Sequence, residues 1–157
     1  MHQILHASRD AHAAPMRRDI LSFLIHGQRF GLAIDRIKEI VPAQKITPLP
    51  RQSPSTLGLI HVRKQNIPVL NLQHRMALPQ AIPGTGLMVI VETVQGPVSL
   101  WISAVEQIIH IQAGDFSANT SGGSSSVIAE VAQTQNGLLP IIDIERLIQS
   151  NSSMLQS

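Results

Sequence analysis

Gly58-Leu59-Ile60-His61-Val62-Arg63-Lys64-Gln65-Asn66-Ile67-Pro68-Val69-Leu70-Asn71-Leu72 decides the fold. Two short apolar runs rich in β-branched residues flank a polar, basic turn, and that order reads as a β-hairpin. Arg63 stands where the first strand hands over to the turn, which exposes it. Pro68 has no N–H for a sheet ladder, so its N–H side belongs at an edge or a bulge. His61 alternates with Ile60 and Val62 and faces away from the interior that they build. Val69 is assigned to that interior.

The phrase returns later in the chain. Leu138-Leu139-Pro140-Ile141-Ile142-Asp143-Ile144 repeats the apolar-Pro-apolar-apolar-(Asn or Asp)-apolar pattern of Ile67 to Leu72. It follows the apolar run Val127 to Gln133 and the turn Thr134-Gln135-Asn136-Gly137, and Asn-Gly between apolar runs is a strong hairpin signal. Two copies point to a duplicated unit. The upstream segments overlay as well. At an offset of 68, Gly31-Leu32-Ala33-Ile34 falls on Ser99-Leu100-Trp101-Ile102, Ile37 and Ile40 fall on Val105 and Ile108, and the turn Gly27-Gln28 falls on Gln95-Gly96. The later hairpin matches at an offset of 72, which sets Pro68 on Pro140. The four extra residues fit the polar loop Ser117 to Ser126.

The remaining elements follow in order. Ile20 to His26 and Arg29 to Ile34 read as strands about a tight turn. Asp35 to Val41 sets Ile37, Ile40 and Val41 on one side at helical spacing, and a kinked or bulged strand fits equally. Pro42 ends either one. Pro48, Pro50 and Pro54 make a rigid, extended connection around Ile46. Leu72 to Met76 fits a short helical turn, and Leu78 to Gly86 is the clearest linker. Leu87 to Val94, Val98 to Ile102 and Ala104 to Ile111 are apolar strand-like runs, and Ile144 to Ile148 fits a short amphipathic helix. These elements predict an all-β fold of two small barrels, since closure removes exposed sheet edges. The expected organisation is a flexible tail over 1–18, one domain over 19–148 and a C-terminal tail over 149–157. Within the domain, a first barrel is expected at about 19–78 and a second at about 85–148.

Composition narrows the function. The chain has 157 residues, 43% of them hydrophobic, enough for a core without staples. Aromatics are only Phe23, Phe30, Phe116 and Trp101, so the core is aliphatic and Trp101 is assigned to packing. With no Cys, disulfides and thiolate metal sites are excluded. His2, His6 and His12 lie near one another in sequence, but no Cys or acid cluster completes a metal site. No metal and no cofactor are expected. Net charge is +2, yet no acid lies between Glu39 and Glu92, while Lys45, Arg51, Arg63, Lys64 and Arg75 do. That segment favours an acidic partner surface. Neither a signal peptide nor an apolar run of membrane-spanning length is recognisable, which gives the expectation of a cytoplasmic protein without direct membrane insertion. Enzymatic activity is not expected: there is no phosphate loop, no Gly-x-Ser-x-Gly elbow and no acid–base constellation.

Gly58 to Leu72 also resembles the signature of the CheW-like domain family, a Gly-x-Ile-Asn-Leu-Arg-Gly stretch that runs into Ile-Pro-Val-Ile-Asp-Leu. Gly58, Ile60, Arg63, Ile67, Pro68, Val69 and Leu72 keep its register. Ile37-Lys38-Glu39-Ile40 is similar to the family's Val-x-Glu-Ile segment, and Thr47-Pro48-Leu49-Pro50 to its proline-rich stretch. The likeness spans about Ile20 to Ile148. It implies two five-stranded barrels of Src-homology type around a shared apolar core. It also implies a non-catalytic adaptor that couples the cytoplasmic tip of chemoreceptors to a CheA-type histidine kinase, in chemotaxis or in pilus-based twitching motility. The family's receptor-binding positions carry over to Glu39 and Arg63, with Ile37 as a neighbouring apolar contact. Several positions depart from the signature: His61, Lys64, Asn66 and Asn71 replace the usual Asn, Gly, an apolar residue and Asp, and Ser103 stands where an Asp is usual. The apolar scaffold is kept better than the polar surface, which reads as a divergent adaptor.

Two rival readings remain. A basic small barrel can bind nucleic acid, but single-strand binding uses aromatic platforms, and none lies between Phe30 and Trp101. Nucleic acid is therefore not an expected partner. An orphan scaffold would bind only other CheW-like adaptors.

Overall fold

The computed structural model describes residues 17–50, 54–80, 82–121 and 126–149. The strands are β1 (Arg17–Ile25), β2 (Gln28–Ala33), β3 (Ile37–Pro42), β4 (Thr56–Val62), β5 (Gln65–Leu70), β6 (Leu87–Thr93), β7 (Gly96–Ile102), β8 (Ala104–Gln112), β9 (Phe116–Ala118), β10 (Ile128–Thr134) and β11 (Gly137–Ile142). Short 3-10 turns at Ile34–Arg36 and Ala113–Asp115 precede β3 and β9. Helix α1 is Leu72–Arg75, and residues 144–149 form helix α2.

The opening hairpin is β4–β5, paired from Gly58↔Val69 to Val62↔Gln65 about the two-residue turn Arg63-Lys64. β5 pairs in parallel with β7 only at Val69 and Leu70, so Pro68 lies just before that ladder begins. Its missing N–H therefore costs no inter-strand bond to β7. Asp35 to Val41, open between helix and strand in sequence, is a 3-10 turn followed by a strand with a bulge between Ile37 and Glu39.

The duplication holds to the residue. Phe23 pairs with Phe30 in β1–β2, and 68 residues on Val91 pairs with Val98 in β6–β7. Ile60 pairs with Ile67, and 72 residues on Ala132 pairs with Leu139. The bulge recurs too: Ser22↔Gln107 precedes the shift in β1–β8, matching Glu39↔Ile90 in β3–β6.

The sheets do not follow the two halves of the chain, which corrects the expected barrels at about 19–78 and 85–148. One sheet runs β3-β6-β7-β5-β4 and the other β8-β1-β2-β11-β10-β9. Each unit gives its first hairpin to the other unit's sheet. The parallel pairings Val69↔Ser99 and Ile141↔Gly31 seat the exchanged hairpins, again at equivalent positions. The second sheet has six strands rather than five because β9 pairs with β10. The first has only the bridge between Thr47 and Leu59 at that place, with N–H to O distances of 2.8 and 2.9 Å. In both, the chain leaving one edge strand reaches the other edge, so each sheet curls towards closure.

One apolar cluster unites both sheets. It joins Phe23, Ile25 and Leu32 of one sheet to Ile60, Ile67, Val69, Leu100 and Ile102 of the other, with Ile144 and Leu147 of α2 packed in. A smaller cluster of Ile20, Ile111, Ala132, Leu139 and Ile141 fills the six-stranded sheet. Trp101 is only 1% exposed, and its indole N–H donates to the Thr85 carbonyl at 2.9 Å, so it is a packing residue.

Asn71 caps α1 by accepting from the His74 N–H at 3.1 Å, and Asp143 caps α2 by accepting from the Arg146 N–H at 3.2 Å. The signature's change to Asn at 71 thus keeps the cap, because either oxygen can accept that bond. Arg17 and Arg18, expected in the preceding tail, belong to β1. His2, His6, His12, Arg51 and the C-terminal tail after Gln149 lie outside the described residues.

Candidate functional site

Strand β3 and the β4–β5 turn come from opposite edges of the five-stranded sheet and meet where it curls towards closure. Arg63 and Lys64 both hold positive φ, 51° and 67°, a left-handed pair that matches the twist of a tight hairpin. Neither residue is Gly, so the conformation is strained. This geometry aims the Arg63 side chain back over β3. Its Nε lies 3.0 Å from Glu39 Oε1 and its Nη2 lies 2.9 Å from Glu39 Oε2. A two-point fork of this kind fixes orientation as well as distance. The Arg63 side chain is 76% exposed and that of Glu39 is 22% exposed. Arg63's hydrogen bonds hold the Glu39 carboxyl below its usual range, and the same bonds raise Arg63. The pair is charged at neutral pH and oriented before any partner arrives.

The structure therefore brings Glu39 and Arg63 together, although they lie 24 residues apart. Ile37 packs against the main core while half-buried. The exposed apolar residue of the edge is Ile40, at 38%. Helical spacing would set Ile40 on one side with Ile37 and Val41, whereas the alternation of β3 sets it opposite them. Around the turn, the His61 imidazole contacts Asn66 Oδ1 at 3.0 Å, and the His61 N–H donates to Gln44 Oε1 at 3.3 Å. Two signature departures, His61 and Asn66, thus bond to each other.

The basic segment is less bare than the sequence implies, because Glu39 neutralises Arg63. Ion pairs that sequence reading missed tie the two units. Arg18 bonds Glu130 at 2.7 Å, Arg29 bonds Glu106 at 2.8 Å, and Arg36 bonds Glu145. Each joins residues more than 75 positions apart, beyond any local pattern. Ser103 Oγ accepts from the His26 N–H at 2.9 Å and so closes the corner of β1. Among the described residues, no group of three or more His, Cys, Asp or Glu could hold a metal ion. Among the same residues, no helix is long and apolar enough to cross a membrane.

The CheW-like domain family matches residues 19–152. The chemotaxis protein CheW of Bacillus subtilis is 23% identical over 138 residues, covering 85% of this chain and 88% of that protein. CheW of Treponema pallidum is 24% identical, with 83% of this chain and 82% of that protein covered. The crystal structure of the scaffolding protein TtCheW from Thermoanaerobacter tengcongensis superposes with a TM-score of 0.75 at 24% identity, covering 87% of this chain and 90% of that one. Two interleaved sheets, a repeat that keeps its register and a match over most of the chain agree: this chain belongs to the CheW-like domain family, whose members are non-catalytic scaffolds.

Proposed function

We propose that the chain couples the cytoplasmic tip of a chemoreceptor to a CheA-type histidine kinase in the cytoplasm, in chemotaxis or in pilus-based motility. The observation that carries this reading is the Glu39–Arg63 fork at the sheet edge. A guanidinium locked in place and three-quarters exposed can offer its remaining donors to an acidic partner without further loss of rotamer entropy. Ile40 beside it supplies apolar area, and Ile37 supports the strand from beneath. A receptor helix with an acidic edge fits such a surface. The names of the relatives support the pathway class.

Nucleic-acid binding has less support. Phe23, Phe30 and Trp101 are buried, and the Phe116 ring lies 4.1 Å beneath the Arg18 guanidinium, so no described aromatic is free to stack on a base.

Arg63→Glu tests the reading in a direct binding assay with a purified receptor-tip fragment. Capture falls by about tenfold or more, as for loss of a contact charge, while the urea midpoint stays near that of the parent chain. Unchanged capture removes Arg63 from the contact surface.

A further inference from the structure

The repeat sets Gln107 and Gln135 where the first unit has Glu39 and Arg63, at the offsets of 68 and 72 that the strand registers obey. In the first unit, an ion pair ties the hairpin turn to the edge strand. In the second, no hydrogen bond joins the two glutamines among the described residues, and a groove of about 570 Å³ stays open between β8 and the β10–β11 turn. Its walls include Gln107, Ile108 and His110 on one side and Gln133 and Gln135 on the other, with Asp115 at one end.

β8 is the outermost strand of its sheet. β1 pairs with one of its edges, and the other faces the groove. Edge strands are normally protected by Lys, Pro or inward charge. Gln107-Ile108-Ile109-His110-Ile111-Gln112 carries no Lys, Arg or Pro, and Ile108 is 51% exposed. The strand thus offers a row of backbone donors and acceptors beside apolar area. Charge gives the occupant a direction. Asp19 is held by His110 at 2.6 Å and by Arg17 at 3.4 Å, whereas no described ion pair engages Asp115. The end of the groove past the C-terminus of β8 is therefore acidic, opposite in sign to the Arg63 edge.

We infer that the free edge of β8 is a second docking site, which takes an extended, otherwise uncharged segment of a partner protein by antiparallel strand addition. Antiparallel pairing is the more stable ladder, and it sets the segment's N-terminal end beside Asp115, where a basic residue belongs. Main-chain bonds supply affinity, Ile108 selects an apolar side chain, and Asp115 fixes polarity. The inference does not depend on what binds at Arg63, so the two can fail separately.

The test is a titration of the ¹⁵N-labelled full chain with the peptide acetyl-Lys-Thr-Val-Thr-Val-Thr-Thr-amide, followed by amide shifts. Shifts confined to Gln107–Gln112 and Gln133–Asn136 are expected. Binding weakens by about tenfold when the peptide's Lys becomes Glu, when alternate peptide amides are N-methylated, or when the chain carries Ile108→Lys. The double variant Gln107→Glu with Gln135→Arg rebuilds the first unit's ion pair across the groove and blocks the peptide, with the fold intact by circular dichroism. No shifts at millimolar peptide, shifts elsewhere, or affinity indifferent to N-methylation and to the double variant would each overturn the inference.

Discussion

Val69→Ala probes the seam where the two units exchange strands. Val69 is fully buried, opposes Gly58 on β4, and begins the parallel ladder to Ser99 on β7. The substitution removes two methyl groups from a site enclosed by both units. At about 0.8 kcal/mol per buried carbon plus a cavity term, the loss is about 2–3 kcal/mol. Urea unfolding with a slope of about 2 kcal/mol/M then shifts the midpoint down by about 1–1.5 M. Two probes should report it together. Trp101, the one tryptophan of the chain, sits in the five-stranded sheet, whereas far-ultraviolet circular dichroism reports both sheets. Because each sheet contains a hairpin from the other unit, neither can unfold alone, and the two curves coincide in parent and variant. A loss below about 0.5 kcal/mol would show that Val69 is not in a packed seam. Separated curves would refute the exchange of hairpins as the source of cooperativity.

Other consequences follow from the same geometry. Asn71→Ala and Asp143→Ala each lower stability by about 1 kcal/mol through loss of an N-cap, while Asn71→Asp stays within about 0.5 kcal/mol, all read by urea titration. Gly58 holds φ at +147°, and a Cβ there would lie 2.3 Å from the Thr47 carbonyl oxygen, so Gly58→Ala costs about 2 kcal/mol or more. Gly84→Ala, with nothing within 4 Å, is the near-neutral control in the same assay. Acid should destabilise the fold through Glu106, whose carboxyl is held below its ordinary 4.5 chiefly by the Arg29 hydrogen bond and also by Ser22. A carboxyl depressed on folding contributes stability above its unfolded value and loses it as pH falls through its folded value. The urea midpoint of the parent therefore drops below about pH 4.5, and the drop is smaller in Glu106→Gln.

Much of this architecture can be read from the sequence because its signals are local. Alternation marks β4–β5 and β10–β11, Gly27 and Asn136-Gly137 mark turns, and the two offsets predict strand registers to the residue. The exchange of hairpins is not local. β1–β2 and β6–β7 carry equivalent patterns, so nothing in either says which unit's last strand will receive it. The site divides along the same line. Glu39 and Arg63 each stand out as charged residues in the resemblance to the CheW-like signature, but their fork depends on a bulge in β3 and on left-handed backbone at Arg63 and Lys64. No propensity foretells positive φ at Arg-Lys, and a glycine at 64, as in the signature, would carry it without strain. Ordinary strand alternation explains why Ile37 is half-buried while Ile40 shows at the surface. The open groove at β8 has no motif at all. It shows only when Gln107 and Gln135 are set against their counterparts across the repeat.

The proposed receptor contact turns on whether Arg63 touches a partner or only latches its own turn, and a charge swap separates these roles. Glu39→Arg combined with Arg63→Glu restores the ion pair but inverts the exposed charge. Co-sedimentation with receptor-tip particles and a CheA-type kinase should show that the swapped chain folds as well as the parent, yet recruits neither partner at parental levels. Recovery of full recruitment by the swapped chain would contradict a contact at Arg63 and leave the pair as a structural latch.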